Sequence, residues 1–257
     1  MNDFQRALKQ IDYTNKAFIR SPIAAFFTLI FPLMFLVIFS VIFGNGQMQV
    51  AKGVTISVAT FYVPAIASFS VITACYTNIA ISLSIARDSG GLKRIRGSPL
   101  PVWAYMFARI AHAVLIALLL VAICAAFGAV FYHATLPTRT LPSFLLTLVV
   151  GAAAFSALGV AVTTLIPNAD AAPAIVNASV LPLLFISNIF IPLQHPPAWL
   201  DFVSKVFPLR HFSDSLVGSF FQLSGSGFYT NDLLVLGAWG VVGLAVAIRF
   251  FTWEPRK

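Results

Sequence analysis

The sequence predicts an all-α integral membrane protein with six transmembrane helices. Of its 257 residues, 59% are hydrophobic and 9% are charged, whereas charged residues make up about a quarter of a typical soluble domain. The hydrophobic residues collect in six long runs, each close to the ~20 residues that a helix needs to cross the hydrocarbon core. An amphipathic segment precedes the first run, and a mixed apolar and polar segment precedes the last. We therefore interpret residues 1–257 as one transmembrane domain.

Residues 1–21 are predicted to form an amphipathic interfacial helix. One face carries Phe4, Leu8, Ile11 and Phe18 at helical spacing, and another face carries Lys9, Lys16 and Arg20. Such a helix lies in the plane of the membrane surface, with its aromatic face in the acyl boundary and its cations toward the lipid headgroups. The alternative is a solvated and partly disordered tail.

The predicted spans follow the apolar runs. They are residues 22–43, 57–84, 104–132, 142–166, 172–191 and 232–251. Pro22 opens the first span, because proline is favourable at the first position of a helix, and Pro64 is expected to kink the second span. In the fourth span, Ala152, Ser156, Gly159 and Thr163 repeat at spacings of four, three and four, which permits close helix packing.

Residues 192–231 are predicted to form an external re-entrant hairpin of two short helices. Both halves contain apolar residues, but prolines and charges interrupt them, and each half is too short and too polar to cross the bilayer. Such helices are tolerated at membrane depth where protein covers them or water lines them. Arg210 and Asp214 are one helical turn apart, so they are expected to form a surface pair of small energetic weight.

The positive charges orient the chain in the membrane. With six spans, twelve of the 16 Lys and Arg residues fall on the side of the two termini and four on the other side. This asymmetry predicts a multi-pass protein of the plasma (inner) membrane, with both termini and segment 86–101 in the cytoplasm. The net charge of +8 lies mostly between apolar runs, which favours contact with membrane lipids and excludes nucleic acid as the expected partner.

The sequence offers no means by which the chain could power transport or catalysis alone. No acidic residue lies in the middle of a predicted span, whereas ion-coupled transporters usually keep an ionisable group or an unwound helix near the midplane. There is no GxxxxGK[ST] phosphate-binding loop. The four histidines are scattered, and Cys75 and Cys124 form no CxxC pair. We therefore expect no catalytic residue, no metal and no cofactor bound by this chain.

Three stretches together carry a family resemblance. They are Arg20-Ser21-Pro22, the segment RDSGGLKRIRGSPLP at residues 87–101, and the pair FIPLQHPPAWL and FPLRHFSD before the last span. In this order the chain resembles the permease subunit of a type-2 ABC exporter, a family that includes drug, antibiotic and polysaccharide export permeases. Asp88 stands where relatives usually have Glu. The resemblance implies that a separate ABC ATPase subunit binds ATP and Mg²⁺ and that this chain supplies the membrane part.

The resemblance also implies that segment 86–101 contains the coupling helix that meets the ATPase. The expected contact residues are Arg87, Asp88, Leu92, Lys93, Arg94, Ile95 and Arg96. Leu92 and Ile95 are expected to seat in a groove on the ATPase, and the charged residues to pair with its surface or with lipid. The alternative is that the cations only fix the membrane topology. A discrete helix between Gly90-Gly91 and Ser98-Pro99, which topology alone does not require, favours docking.

The resemblance further implies a permease dimer, with an identical or a paralogous second chain, and a path between the halves lined by the second and fifth spans. The expected path residues are Thr73, Thr77, Asn177, Leu181, Leu184 and Asn188. Their lightly polar faces suit a lipophilic drug, antibiotic or lipid-like cargo, moved outward by alternating access. Serine and threonine in spans also commonly satisfy their own backbone. The alternatives for the whole chain are a non-conducting membrane assembly subunit and an ion-coupled secondary transporter.

Overall fold

A computed structural model of the chain describes residues 3–44, 46–51, 54–98, 100–191, 196–223, 225 and 227–254. Most of these residues are helical. The helices are α1 (Asp3–Ile19), α2 (Pro22–Phe43), α3 (Val58–Ile72), α4 (Asn78–Asp88), α5 (Gly91–Arg96), α6 (Val102–Tyr132), α7 (Leu141–Val162), α8 (Ala172–Ile186), α9 (Ala198–Val206), α10 (Pro208–Phe220) and α11 (Thr230–Phe250). A π-helical turn, Thr73–Thr77, joins α3 to α4.

The predicted loop between the first two spans contains a small β-hairpin. Strand β1 (Gln47–Ala51) pairs antiparallel with strand β2 (Val54–Ser57), with Met48 opposite Ile56. The short runs of β-branched residues in this stretch favour a pleated conformation. A loop is the expectation from sequence for this stretch, because the strands are too short to show a strong alternating pattern.

The mostly helical membrane-protein fold agrees with the prediction. In the described part of the chain, four helical segments are long and apolar enough to cross a membrane, namely Val58–Asp88, Trp103–Tyr132, Leu141–Val162 and Thr230–Phe250. The described apolar helices Thr28–Phe43 and Ala172–Ile186 are shorter. The number of crossings therefore stays a prediction of six.

The segment from α3 through α4 runs through the middle of the bundle. Within Val58–Asp88, 83% of the most apolar stretch is buried, and α2, α6, α7 and α10 pack around the segment. The segment departs from α-helical geometry at Thr73–Thr77. No residue pattern in the sequence indicated a π-helical turn there. Turns of this kind occur mostly inside α-helices and frequently at functional sites.

Small residues of α7 allow it to approach the π-helical turn. A Cβ atom at Gly159 would lie 2.8 Å from the carbonyl oxygen of Tyr76 and 2.9 Å from that of Cys75. Those distances are below the normal contact between carbon and oxygen, so only glycine permits this packing. The predicted close packing of the fourth span is therefore observed at Gly159.

We expect Gly159→Ala to destabilise the bundle by about 2 kcal/mol, because the added methyl group would push apart two backbones that cannot move independently. The free energy of unfolding in mixed detergent micelles measures the effect. Gly237→Ala in α11 is the matched control, since nothing lies within 4 Å of a Cβ atom there. That control should be neutral or slightly stabilising, and equal stability of both variants would contradict the close approach.

α7 and α8 both end before the predicted ends of their spans. α7 ends at Val162, and the following residues form a turn that continues to Ile166. α8 ends at Ile186 rather than at residue 191. Asn188 has a φ of 59°, a left-handed conformation that cannot continue a right-handed helix. The Tyr62 hydroxyl donates a hydrogen bond of 3.1 Å to the Phe190 carbonyl, which fixes the segment after α8.

α1 packs along the first half of α6. Ala7 is fully buried, and the ring centroid of Phe18 lies 5.6 Å from that of His112. Of the other residues on the predicted apolar face, Ile11 is half-buried and Leu8 is 49% exposed, and the side chain of Phe4 lies outside the described residues. The contact with α6 therefore uses part of the predicted face, and the interfacial location of α1 stays a prediction.

α9 and α10 form the two short helices of the predicted hairpin. α10 is buried between α3, α7 and α11. The ring of Phe212 occupies the space that a side chain at Gly151 of α7 would need. Protein therefore covers α10, which is the condition under which a short helix is tolerated at membrane depth.

Candidate functional site

The candidate site is the basic segment between α4 and α6, and α5 is its only helix among the described residues. Gly90 has a φ of 72°, which glycine adopts without strain, and the chain turns there into α5. Lys93, Arg94 and Arg96 are exposed, and Ile95 is half-buried. These four side chains give the segment a basic outer face with one apolar residue.

Leu92 does not lie on that outer face. Its exposed fraction is 0%, and it belongs to the main hydrophobic core. The prediction that Leu92 seats in a groove of the ATPase is therefore wrong for this conformation of the chain. Burying an apolar side chain against its own bundle stabilises α5 in place, so Leu92 is an anchor of the segment.

Arg87 is also turned into the protein. Its side chain is 1% exposed, and it donates hydrogen bonds of 3.0 Å from Nη1 to the Thr163 carbonyl and 2.6 Å from Nη2 to the Ile166 carbonyl. Both carbonyls lie in the turn that follows α7, so the cation is close to the C-terminal end of that helix, where positive charge is favourable. The expected contact of Arg87 with the ATPase surface or with lipid is therefore corrected to a contact with the turn after α7.

Asp88 continues the same connection one residue later. Its Oδ2 accepts a hydrogen bond of 2.5 Å from the Ala169 backbone N–H, and its Oδ1 lies 3.5 Å from Arg87 Nε. Asp88 is thus held by the turn before α8 and by its neighbour, and this replaces its predicted pairing with a partner. We call Arg87, Asp88 and the carbonyl and N–H groups that they bind the α4–α7 clamp.

The clamp leads directly into α8. The turn at residues 167–171 is closed by a hydrogen bond of 2.9 Å from the Ala171 N–H to Asn168 Oδ1. The first turns of α8 then bury Ala172 and Val176 against Ala80 of α4 and Ile166. One packed unit therefore contains α4, the turn after α7 and the start of α8, and α5 follows α4 in the chain.

The residues predicted to line a path differ in their exposure. Asn177 and Leu181 are exposed on α8, while Thr73 and Thr77 of the π-helical turn are half-buried. Leu184 is 1% exposed, so it packs against the bundle rather than facing a path. Asn188 lies beyond the end of α8 and donates a hydrogen bond of 3.3 Å to Asp214 Oδ1. The four predicted path residues of the fifth span therefore do not share one exposed helix face.

The structure adds a polar contact that sequence reasoning missed. The hydroxyls of Tyr76 and Ser179 lie 2.7 Å apart and join the π-helical turn to the middle of α8. Beside them an apolar cleft of about 410 Å³ opens between α7, α8 and α11, with Leu158, Leu183 and Trp239 among its lining residues. A tyrosine inside a span was the available signal, since a buried tyrosine hydroxyl usually finds a partner.

The predicted surface pair of Arg210 and Asp214 is part of a larger cluster. Arg210 is only 14% exposed and lies 2.8 Å from Asp201 and 3.4 Å from Asp214. A hydrogen bond from Lys205, together with Arg210, holds the pKa of the Asp201 carboxyl below its ordinary value. The cluster ties α9 to α10, so its energetic weight exceeds that of a solvated pair.

A second set of polar contacts ties the hairpin to α11. His211 Nδ1 lies 2.6 Å from Asp232 Oδ1, and the Ser215 hydroxyl donates a hydrogen bond of 3.1 Å to Asp232 Oδ2. The Trp239 indole donates a hydrogen bond of 2.9 Å to the Val206 carbonyl. α9, α10 and α11 are therefore linked at several points.

Within the described residues, no group of three or more His, Cys, Asp and Glu side chains could hold a metal ion. Cys75 and Cys124 are buried free thiols. The geometry of the site is thus that of a packed helical unit with a basic outer face.

Comparisons with known proteins agree with this architecture. The family model described as ABC-2 type transporter matches residues 10–221. The chain is 27% identical over 156 residues to the probable multidrug ABC transporter permease YbhR of Escherichia coli K12, which covers 60% of this chain and 42% of that protein. It is 24% identical over 226 residues to ycf38 of Cyanophora paradoxa, named as a transport permease, which covers 86% of this chain and 76% of that protein.

Proposed function

This chain belongs to the ABC-2 type transporter family, and on that premise we propose that it is the membrane permease subunit of an ATP-driven exporter. Its cargo is a lipophilic drug, an antibiotic or a lipid-like molecule, carried outward by alternating access. The multidrug permease named among its relatives supports this cargo class. The observation that carries the proposal is the α4–α7 clamp, which connects an exposed basic segment to a helix beside an apolar cleft.

In this proposal the ATPase is a separate subunit that binds α5. Lys93, Arg94 and Arg96 meet an acidic surface of the ATPase, and Ile95 adds an apolar contact. ATP and Mg²⁺ belong to that subunit, since this sequence has no phosphate-binding loop. The alternative, that the cations only fix topology, does not account for a helix that is anchored by Leu92 and preceded by the clamp.

The movement then reaches α8 through the clamp. ATP-driven closure of the ATPase subunits shifts α5, and Arg87 and Asp88 carry the shift to the turn before α8. Two permease chains face each other, and the exposed Asn177 and Leu181 of α8 line the path between them. The proposed topology has six spans, both termini in the cytoplasm, and α9 and α10 at the outer side of the plasma membrane.

Efflux from cells tests the proposal. We expect a strain that produces this chain together with an ABC ATPase that co-purifies with it to accumulate less of at least one compound in a panel of lipophilic dyes and antibiotics. The matched control replaces the phosphate-loop Lys of the ATPase by Ala, which should restore full accumulation because ATP binding is lost.

Two outcomes would favour the rival functions. Unchanged accumulation of every compound, with an ATPase stably bound, would favour a membrane assembly subunit. Efflux that persists with the inactive ATPase and stops when the proton or sodium gradient is removed would favour an ion-coupled carrier.

A further inference from the structure

A second cavity lies on the opposite side of the central helix from the apolar cleft. It has a volume of about 300 Å³ and is enclosed by α1, α2, α4, the π-helical turn and α6. Its lining includes Thr14 and Phe18 of α1, Ile85 of α4, and Arg109, His112 and Ile116 of α6. The volume is within the range of small-molecule binding sites.

Arg109 is the dominant charge of this cavity. Its guanidinium donates hydrogen bonds to the Tyr105 hydroxyl, from Nε at 3.0 Å and from Nη2 at 2.8 Å, and from Nη1 to Ser82 Oγ at 3.0 Å. All of these partners are neutral hydroxyls. Among the described residues, no ion pair joins Arg109 to a carboxylate. A half-buried cation with only neutral partners is costly, because burial removes water without supplying a counter-charge.

The Arg109 guanidinium also has N–H donors left for a ligand. Arginine has five N–H donors, and the contacts above use three of them, so two remain without a described partner. His112 lies beside Arg109 on the same cavity wall, with its Nδ1 2.5 Å from Asn15 Oδ1 of α1. The Arg109 guanidinium favours an anionic oxygen-rich group, for which its planar geometry is well suited.

The wall away from Arg109 is mostly apolar, although Thr14, Thr28 and Asn78 also line it. Its apolar residues include Ile79, Ile81, Ile85, Ala113 and Ile116. A cation at one end and hydrocarbon along the wall match a molecule that has an anionic head and an apolar body. A soluble phosphate ion would satisfy Arg109 but would leave the apolar wall uncovered.

The position in the chain fits the same ligand. Arg109 lies seven residues after Val102, the start of α6, which is about 10 Å along a helix. In the proposed orientation this depth is near the boundary between headgroups and acyl chains of the cytoplasmic leaflet. Basic pockets between helices on that side are suited to anionic lipid headgroups.

We propose that the cavity between α1, α4 and α6 binds an anionic membrane phospholipid, whose phosphate pairs with Arg109 and whose acyl chain covers the apolar wall. The bound lipid bridges α1 and α6, so it fixes α1 against the bundle. The proposal depends on membrane insertion and on the cytoplasmic position of the start of α6, and not on export activity. Its failure would leave the proposed function unaffected.

Lipid binding to the purified full chain tests the proposal. Native mass spectrometry in detergent would compare phosphatidylglycerol with phosphatidylcholine of the same acyl chains, at equal mole ratios. We expect phosphatidylglycerol to bind more tightly and Arg109→Gln to weaken its binding about fivefold, as for the loss of one cation near a membrane surface. Arg249→Gln is the matched control. Arg249 is an exposed cation at the end of α11, and it is predicted to lie on the same side of the membrane as Arg109.

A second variant keeps the charge of Arg109 but fills part of the cavity. Ala17 is exposed and lines the cavity, so Ala17→Phe should leave the fold intact and also weaken phosphatidylglycerol binding. Equal binding of the two lipids, retention of phosphatidylglycerol by both Arg109→Gln and Ala17→Phe, or an equal loss in Arg249→Gln would overturn the proposal. Displacement of the lipid by inorganic phosphate would also overturn it, because the ligand would then be a soluble anion.

Discussion

An Arg87→Met variant is expected to lose about 3 kcal/mol of unfolding free energy and most ATP-driven export. Methionine retains the apolar stem of arginine but not its donors, so the Thr163 and Ile166 carbonyls would lose hydrogen bonds of 3.0 and 2.6 Å. Hydrogen bonds to charged groups contribute about 1.5–3 kcal/mol each when they are buried. Unfolding in mixed micelles and efflux in cells measure the two effects.

Arg94→Met is the control for this variant, because it removes an exposed cation from the same segment. It should leave the unfolding free energy within about 0.5 kcal/mol of wild type. An Arg87→Lys variant separates positioning from charge, since lysine keeps the positive charge but cannot bind both carbonyls with a planar fork. Full export by Arg87→Met, in protein of normal stability, would show that the clamp does not transmit force.

Reversing the charge of the outer face of α5 is expected to weaken ATPase binding strongly without harming the fold. A Lys93→Glu, Arg94→Glu, Arg96→Glu variant changes three exposed side chains, so its effect on stability should be small. The affinity for the ATPase should fall about 100-fold, because like charges would then face each other across the interface. Binding of the purified ATPase to nanodiscs that contain the chain measures the affinity.

Two comparisons make that experiment specific. Arg249→Glu changes a cation outside α5 and should retain wild-type affinity. Leu92→Asp should instead destabilise the chain, because it places a charge at a position with 0% exposure. If the triple variant bound the ATPase as tightly as wild type, docking through α5 would be wrong, and the cations would serve topology alone.

Hydropathy, together with the prolines, glycines and polar turns that mark helix ends, was sufficient to predict most helices of this chain. Pro22, Gly90 and the polar turn after Pro167 all lie at helix boundaries, as expected from local backbone preferences. The end of α8 was not predictable in this way. Ile189, Phe190 and Ile191 extend the apolar run, so hydropathy gives no sign of the left-handed backbone at Asn188 that ends the helix. The hydrogen bonds of this segment, from Asn188 to Asp214 and from Tyr62 to Phe190, join residues that are distant in sequence.

The roles within the basic segment were harder to predict, because they depend on partners distant in sequence. Arg87 and Lys93 are both cations of the same basic stretch, so the sequence does not separate their roles. Arg87 binds the Thr163 carbonyl just after α7, 76 residues away along the chain. Helical periodicity can assign Leu92 and Ile95 to one side of a short helix, but it cannot tell whether that side meets the same chain or another. The Tyr76–Ser179 contact is a third case, since the π-helical turn that presents Tyr76 has no sequence signature.

The central claim is that force enters this permease from a separate ATPase through α5 and the α4–α7 clamp. Vesicles reconstituted with the chain alone, and with the chain plus its ATPase, test it most directly when they are assayed with a compound identified by the efflux screen. We expect uphill accumulation only when both subunits and ATP are present. Accumulation against a gradient by vesicles that contain this chain alone, driven by a proton or sodium gradient, would contradict it.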